Sequence, residues 1–468
     1  MQPINWQQFG LKKDPFDTSA LIEGGDLPIG KAFVGRDQEM NFLNSLFESS
    51  DNLCLTICGS VGVGKTSLVN FHKFIWKYKK SKLLFSFRRE IEASKELLNK
   101  RSFLIEIIGS VLREIKLLQP ELLKKDLLNK LNKIVDISQS IDISMGASAF
   151  GFGVDVGGGK SIVQPIQLST TTLESYFVEL VEFIKANEIN GRRYSGLIVH
   201  VNNFDVVLTN KENKKNVIGF FNEIRDVLQT KDVYFLFLGP SSLFGDIIVS
   251  QQRVKGIFCQ TPLKVSPLSK TEITKAFEER MEILQSEDVQ KYIKPIEDEV
   301  VFRLYDLYKG DIRSVMSGIR DILGQNADKL SKTTLTANEA MLLLGKERWE
   351  RIESAMKLTD EQKNILKYLA TADKYISQKE VAILFRLART NVSGYYFKPL
   401  KENNIIEEKE KMGQTPYFGL TQDYVPLKWL LEAQKDLNKN LKEQQLKQMG
   451  LFGFIPVFPG GTSSLQPG

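Results

Sequence analysis

Cysteine and histidine are scarce in this chain of 468 residues, which has three cysteines (Cys54, Cys58 and Cys259) and two histidines (His72 and His200). The odd cysteine number argues against a disulfide framework. The i,i+4 spacing of Cys54 and Cys58, with so few histidines, does not make a zinc site. The two flank an apolar run, LCLTIC, where core packing is their expected role. Two histidines also leave little room for a Ser-His-Asp hydrolase. Long hydrophobic runs are missing: none approaches the roughly 20 residues that cross a bilayer. The opening stretch, Met1 to Phe9, is polar and lacks a signal-peptide core. The expected location is cytoplasmic, with no membrane partner. Neither sign of charge dominates, since 63 Lys and Arg face 57 Asp and Glu. A net charge of +6 is too mild for a nucleic-acid coat protein, so any contact with nucleic acid must come from a local patch.

What is present is alternation. Strand-like runs at Leu53–Cys58, Leu83–Phe87, Gly196–Val201, Val233–Leu238 and Phe258–Leu263 are separated by helix-like runs. That pattern predicts an α/β domain with a parallel sheet covered by helices. Residues 1–265 are the expected base, opening with FGLKKDPF (Phe9 to Phe16) and FVGRDQEM (Phe33 to Met40). Residues 266–345 are the expected helical lid. Residues 346–428 read as three helices and a two-stranded wing, and 429–468 as a polar helix and an apolar tail. From Ser140 to Val156, SIDISMGASAFGFGVDV alternates at period two, which predicts an inserted hairpin near 140–160. It is either an arm for oligomer or DNA contact or an extra edge hairpin.

Gly59, Ser60, Val61, Gly62, Val63, Gly64, Lys65 and Thr66 spell G-x4-G-K-[ST] after an apolar strand and before a helix that opens at Ser67. Glycines let backbone N–H groups close around phosphate oxygens, and the helix N-terminus adds partial positive charge. Lys65 is expected to reach the β and γ phosphates of ATP, and Thr66 to offer its hydroxyl to Mg²⁺. GGGKS, ending at Ser161, is rejected as a second loop: the first glycine of the motif would fall at Val154, and no buried strand precedes it.

Such a loop needs an acidic strand end, where one carboxylate anchors Mg²⁺ through water and a neighbour polarises the attacking water. The best strand, ending at Val201, is followed by Asn202-Asn203-Phe204-Asp205. An amide can accept a hydrogen bond from a metal-bound water, but it brings no charge and cannot take a proton. Asn202 on the metal side and Asn203 on the water side therefore predict secure nucleotide binding and weak hydrolysis. The competing strand, Val233–Leu238, ends in Gly239-Pro240-Ser241-Ser242 and offers no carboxylate either.

FVGRDQEM resembles the box that opens the origin-recognition and replication-initiator clade of AAA+ ATPases, and YKGDIRSVMSGIRDIL (Tyr308 to Leu323) is similar to its sensor-two helix. QRVKGIF (Gln252 to Phe258) is similar to the arginine-finger segment, and LKVSPLSKTEI to the approach to the lid. The resemblance runs from about Phe33 to Leu420. It implies a P-loop AAA+ parallel sheet with a helical lid, followed by an α+β winged-helix domain. It also implies that Val34 and Gly35 line the adenine pocket and that Ser241 is the sensor-one residue. Arg253 would be an arginine finger in a homo-oligomer, and Arg313 would lie over the γ-phosphate. The alternatives are a surface arginine for Arg253 and a helix cap or ion-pair partner for Arg313. FGLKKDPF is similar to openings of bacterial AAA+ ATPases among secretion and transposition regulators.

In the winged helix, Ile365, Leu366 and Leu369 face inward, Ser377 and Glu380 form a capping box, and Val392, Tyr396 and Leu400 share a face. Pro399 is expected to kink or shorten the third helix. Between Arg386 and Lys401 there are basic side chains and no acid. Arg389, Asn391, Ser393, Tyr395 and Lys398 are the candidates for double-stranded DNA. The alternative is a module that binds protein, in a regulatory or defence-type NTPase. Leu451, Phe452, Phe454, Ile455, Val457 and Phe458 make the tail a candidate docking segment for a protein partner.

Overall fold

The computed structural model describes residues 4–148, 169–209, 211–325, 334–372 and 375–436. The phosphate-loop strand, Leu53–Cys58, lies between Val233–Gly239 and Leu263–Lys264. Beyond Val233–Gly239 comes Leu197–Asn202, and beyond that Phe85–Ser86 and Ile91–Glu92. Every pairing is parallel. The three central strands are buried along their whole length. Continuous apolar runs do this when helices cover both faces. On one face, Leu43, Phe47, Leu68 and Trp76 pack on Leu55, Ile57, Ile198 and Leu236. On the other, Phe103, Ile107, Phe177 and Phe220 pack on Val199, Val201, Phe235 and Phe237. Successive strand residues thus feed two cores.

Two expected strands are shorter or displaced. Pairing near Leu83–Phe87 is confined to Phe85–Ser86. The last strand is Leu263–Lys264, with only an isolated bridge from Phe258 to Cys54 upstream. Pro262 has no N–H to donate to a ladder, so pairing starts afresh after it.

The hairpin expectation is corrected over its first half. Asp126–Ser148 is one helix, so residues 140–147 are its last turns and not a strand. Leu127, Leu131, Ile134 and Ser138 establish helical spacing, and Ile141 and Met145 continue it at i+3 and i+4. The period-two reading began too late to see this. The second half of the hairpin and the GGGKS string lie outside the described residues.

The chain forms two compact units. One is Gly10–Tyr292 with Lys309–Ser317; the other holds Ile293–Tyr308 and the chain from Gly318 on, with the N-terminal residues. The second unit contains a winged helix. Its helices are Asp360–Thr371, Gln378–Leu384 and a third assembled from Arg389–Asn391, Val392–Phe397 and Lys398–Glu402. Ile406–Met412, Thr415–Leu420 and Ile376–Ser377 make an antiparallel sheet. Capping boxes start the first two helices at Thr359 and Ser377. The third helix widens into a π-turn just before Pro399. Proline cannot donate to the carbonyl four residues back. That carbonyl, of Tyr395, accepts instead from Gln362 Nε2 at 2.8 Å. Residues 427–436 are helical, and the apolar tail lies outside the described residues. Among the described residues no helix is long and apolar enough to cross a membrane.

Candidate nucleotide site

The sheet's central strand delivers the phosphate loop at its C-terminal end. Gly62 and Gly64 have φ of +75° and +93°, the left-handed region that glycine adopts without strain. The helix Lys65–Tyr78 begins immediately after. Lys65 is buried and folds back, donating to the carbonyls of Gly59 at 2.9 Å and Ser60 at 2.8 Å. Its ammonium is held below the usual lysine range, chiefly by burial; the Asp205 charge is the foremost influence in the opposite direction. One cavity brings together Val61, Gly62, Val63, Gly64, Lys65, Thr66 and Ser67 with Asn202, Asn203, Asp205 and Arg313.

The Asn202 strand reaches this cavity one strand removed from the loop. Asn202 is buried, and its Nδ2 donates to Thr66 Oγ1 at 2.9 Å. Asn203 turns the chain with φ 66° and ψ 26°, a left-handed conformation that asparagine tolerates. The short helix Phe204–Val207 follows, with Asp205 in its first turn.

Arg313 lines the cavity and makes no ion pair among the described residues. Asp311 caps its helix: Ser314 N donates to Oδ1 at 3.1 Å and Ser314 Oγ to Oδ2 at 2.8 Å. Ile312 N donates to Gly62 O at 3.2 Å, which pins this helix end to the loop. A β-carbon on Gly62 would collide with Asp311 Oδ1. The second glycine of the motif thus leaves no space for a side chain beside this helix end.

Other candidates fall apart from this cluster. Val34 lines the cavity; Gly35 does not, and a β-carbon there would meet Glu272 Oε1 at 2.7 Å. Phe33 lines it too, stacked on Phe71 at 4.2 Å. Ser60 and Gly59 lie under the loop as the carbonyl partners of Lys65. Ser241 and Arg253 are exposed and do not line the cavity.

Three contributors escaped the sequence reading. Arg36 is buried and donates to Glu39, to Ser266 O at 2.5 Å and to Val63 O at 2.7 Å, clamping the loop from behind. Thr18 to Leu21 line the cavity, tied to the loop helix by Leu21 N to Ser67 Oγ and by Asn70 Nδ2 to Leu21 O. Arg280 lines it and donates to Pro15 O and Asp17 O. Only Arg36 had a signal, its place inside FVGRDQEM. The cavity wall thus carries four cations (Arg36, Lys65, Arg280 and Arg313) and one carboxylate, Asp205.

That balance, with loop amides and a helix N-terminus, fits a polyphosphate. The oxygens of Thr66, Asn202 and Asp205 are hard donors of the kind Mg²⁺ takes when phosphates complete its shell. In the second unit, Arg389, Asn391, Ser393, Tyr395 and Lys398 are all exposed.

No protein-family model and no curated protein matches the chain. Solved structures do. The ORC1 protein of Aeropyrum pernix in complex with DNA is 14% identical, with 88% of this chain and 95% of that one covered, at a TM-score of 0.42. This chain is similar to archaeal origin-recognition proteins. The ORC2 protein of the same organism, in ADPNP–ADP complexes, is 15% identical over 91% of this chain and 100% of its own, also at 0.42. Cdc6p of Pyrobaculum aerophilum is 13% identical over 88% and 98%, at 0.37. At such scores the fold rests on the chain's own strand order.

Proposed function

We propose that this chain is an ATP-binding switch of initiator type that hydrolyses ATP weakly and binds duplex DNA through its winged helix. The observation that carries the nucleotide reading is the single cavity joining the phosphate loop, Asn202, Asn203 and Arg313. Loop amides and Lys65 would take the phosphates, Arg313 would meet the γ-phosphate, and Thr66 with the residues at the end of the Asn202 strand would hold Mg²⁺. When bound, the metal neutralises phosphate charge. The protein's own part is to grip the triphosphate and to offer the water no base at Asn203. Residues 1–265 act as base, 266–345 as lid, 346–428 as winged helix and 429–468 as helix and tail. Homo-oligomers would bring Arg253 of one copy to the nucleotide of the next, in the cytoplasm.

A second reading, a regulatory or defence-type NTPase whose winged helix and tail dock protein, has one observation in its favour. Ile383, Leu384 and Tyr395 are 67%, 52% and 56% exposed, and apolar side chains that protrude in this way suit a protein partner. DNA is favoured by the cations and small polar groups along the third helix.

Calorimetry with ATP tests the nucleotide claim. Lys65→Ala should abolish measurable binding, because it removes the cation that faces the β and γ phosphates. Equal affinity in wild type and variant would overturn the reading.

A further inference from the structure

The Asn pair leaves the nucleotide site without an evident acid for its cation, and the cavity supplies one from an unassigned position. We propose that Asp205 is the acidic anchor of the Mg²⁺–nucleotide complex, holding a metal-bound water, while Asn202 positions Thr66. The proposal rests on the nucleotide reading above.

Asn202 is already committed. Its amide N–H points at Thr66 Oγ1 across 2.9 Å. A donor so placed orients the hydroxyl but does not attract a cation. Asn203 is spent on the turn, held in the left-handed region where the strand ends. That turn matters, because it sends the chain back so that Asp205, in the first turn of Phe204–Val207, lines the same cavity as Thr66 and Lys65.

The other carboxylates around the loop are engaged. Asp311 accepts from the backbone and hydroxyl of Ser314. Glu39 pairs with Arg36 at 2.8 Å, and Glu272 accepts from Ser269 at 2.7 Å. Asp17 accepts from Ser19 N at 2.6 Å. Asp205 has no hydrogen bond or ion pair among the described residues, and it is the one carboxylate on the cavity wall. Its charge acts on Lys65, yet the two make no direct pair. Mg²⁺ keeps several waters and is ordinarily bound by one or two carboxylates together with phosphate oxygens, so a single acid reaching through water is sufficient.

A single carboxylate gives one negative charge where an acid pair would give two. The cation is held, and the attacking water still lacks a second carboxylate to act as base. Asp205 therefore accounts for a site that binds Mg²⁺-ATP and turns it over slowly.

The test is ATP affinity by calorimetry with excess Mg²⁺ and, separately, with EDTA, for wild type, Asp205→Asn and Asn202→Ala. Wild type should bind more tightly with Mg²⁺. Asp205→Asn should lose most of that increment, about 10-fold or more as for other outer-shell metal contacts, and keep its affinity in EDTA. Asn202→Ala should retain the larger part of the increment. An unchanged Mg²⁺ increment in Asp205→Asn, with circular dichroism and melting like wild type, overturns the proposal. So does loss of the increment in Asn202→Ala alone. Absence of ATP binding by wild type in both media would remove the nucleotide reading itself, a distinguishable result.

Discussion

Lys73 and Lys77 lie on the buried side of the helix that leaves the phosphate loop. Lys77 is answered by acids, Glu114 at 2.7 Å and Glu23 at 3.1 Å. Lys73 has no ion pair among the described residues: it donates to Phe87 O at 2.9 Å and Arg88 O at 3.3 Å and lies over the Phe87 ring. Burial lowers its pKa from 10.5 to about 8. A cation with a depressed folded pKa costs stability while it is protonated in both states. The unfolded chain binds more protons between the two values, so this group's contribution rises from about pH 8 to 10.5. The full difference is about 3 kcal/mol. Denaturant midpoints of wild type, measured relative to Lys73→Met, should therefore climb between neutral pH and about pH 10. Parallel curves would mean that Lys73 is not penalised in the fold. Such residues are hard to find in a sequence. The phosphate loop is legible because its backbone demands glycine at fixed places. Arg280 acts on carbonyls of Pro15 and Asp17, and no local pattern marks contacts of that sequence separation; Arg36, on Ser266 and Val63, was hinted at only by its place inside FVGRDQEM.

At the scale of elements, the third winged-helix helix is the piece with a function to test. Its buried side, Val392, Phe397 and Leu400, packs in the winged-helix core, and its open side carries Arg389, Asn391, Ser393, Tyr395 and Lys398. Lys398 is held only loosely by Glu402, at 3.8 Å with both side chains exposed, so it is available to a phosphate. Arg389→Ala and Lys398→Ala should each weaken duplex binding in a gel or anisotropy titration. Each lost phosphate contact should also reduce the salt slope by about 1. Unchanged affinity and slope in both would transfer the module to the protein-docking reading and its exposed Ile383 and Leu384. The three central strands were legible from their apolar runs, the Ser377 capping box from its motif and the inward face of Ile365, Leu366 and Leu369 from its spacing, whereas the Thr359 box was not read. Misreadings came where two periods fit the same letters, as in 140–147, or where one proline moved a strand start, as at Pro262.

For the whole molecule, the proposed switch would pair a full set of phosphate contacts with a site that lacks a second carboxylate for the water. Lys65, Arg313 and the loop share one cavity with Asn202 and Asn203. Nucleotide should consequently act as a structural ligand, bound and retained, its presence read by the lid end that Asp311 and Ile312 press against Gly62. Missing a positioned base typically lowers turnover by about 10²–10⁴-fold. The most direct measurement is the fate of γ-labelled ATP incubated with wild-type protein, Mg²⁺ and duplex DNA, beside Asn202→Asp/Asn203→Glu. ATP recovered from the wild-type complex should be largely intact, and the double variant, folded and assembled as wild type, should release phosphate faster. Brisk phosphate release by wild type, or no gain in the double variant, would contradict the proposed switch.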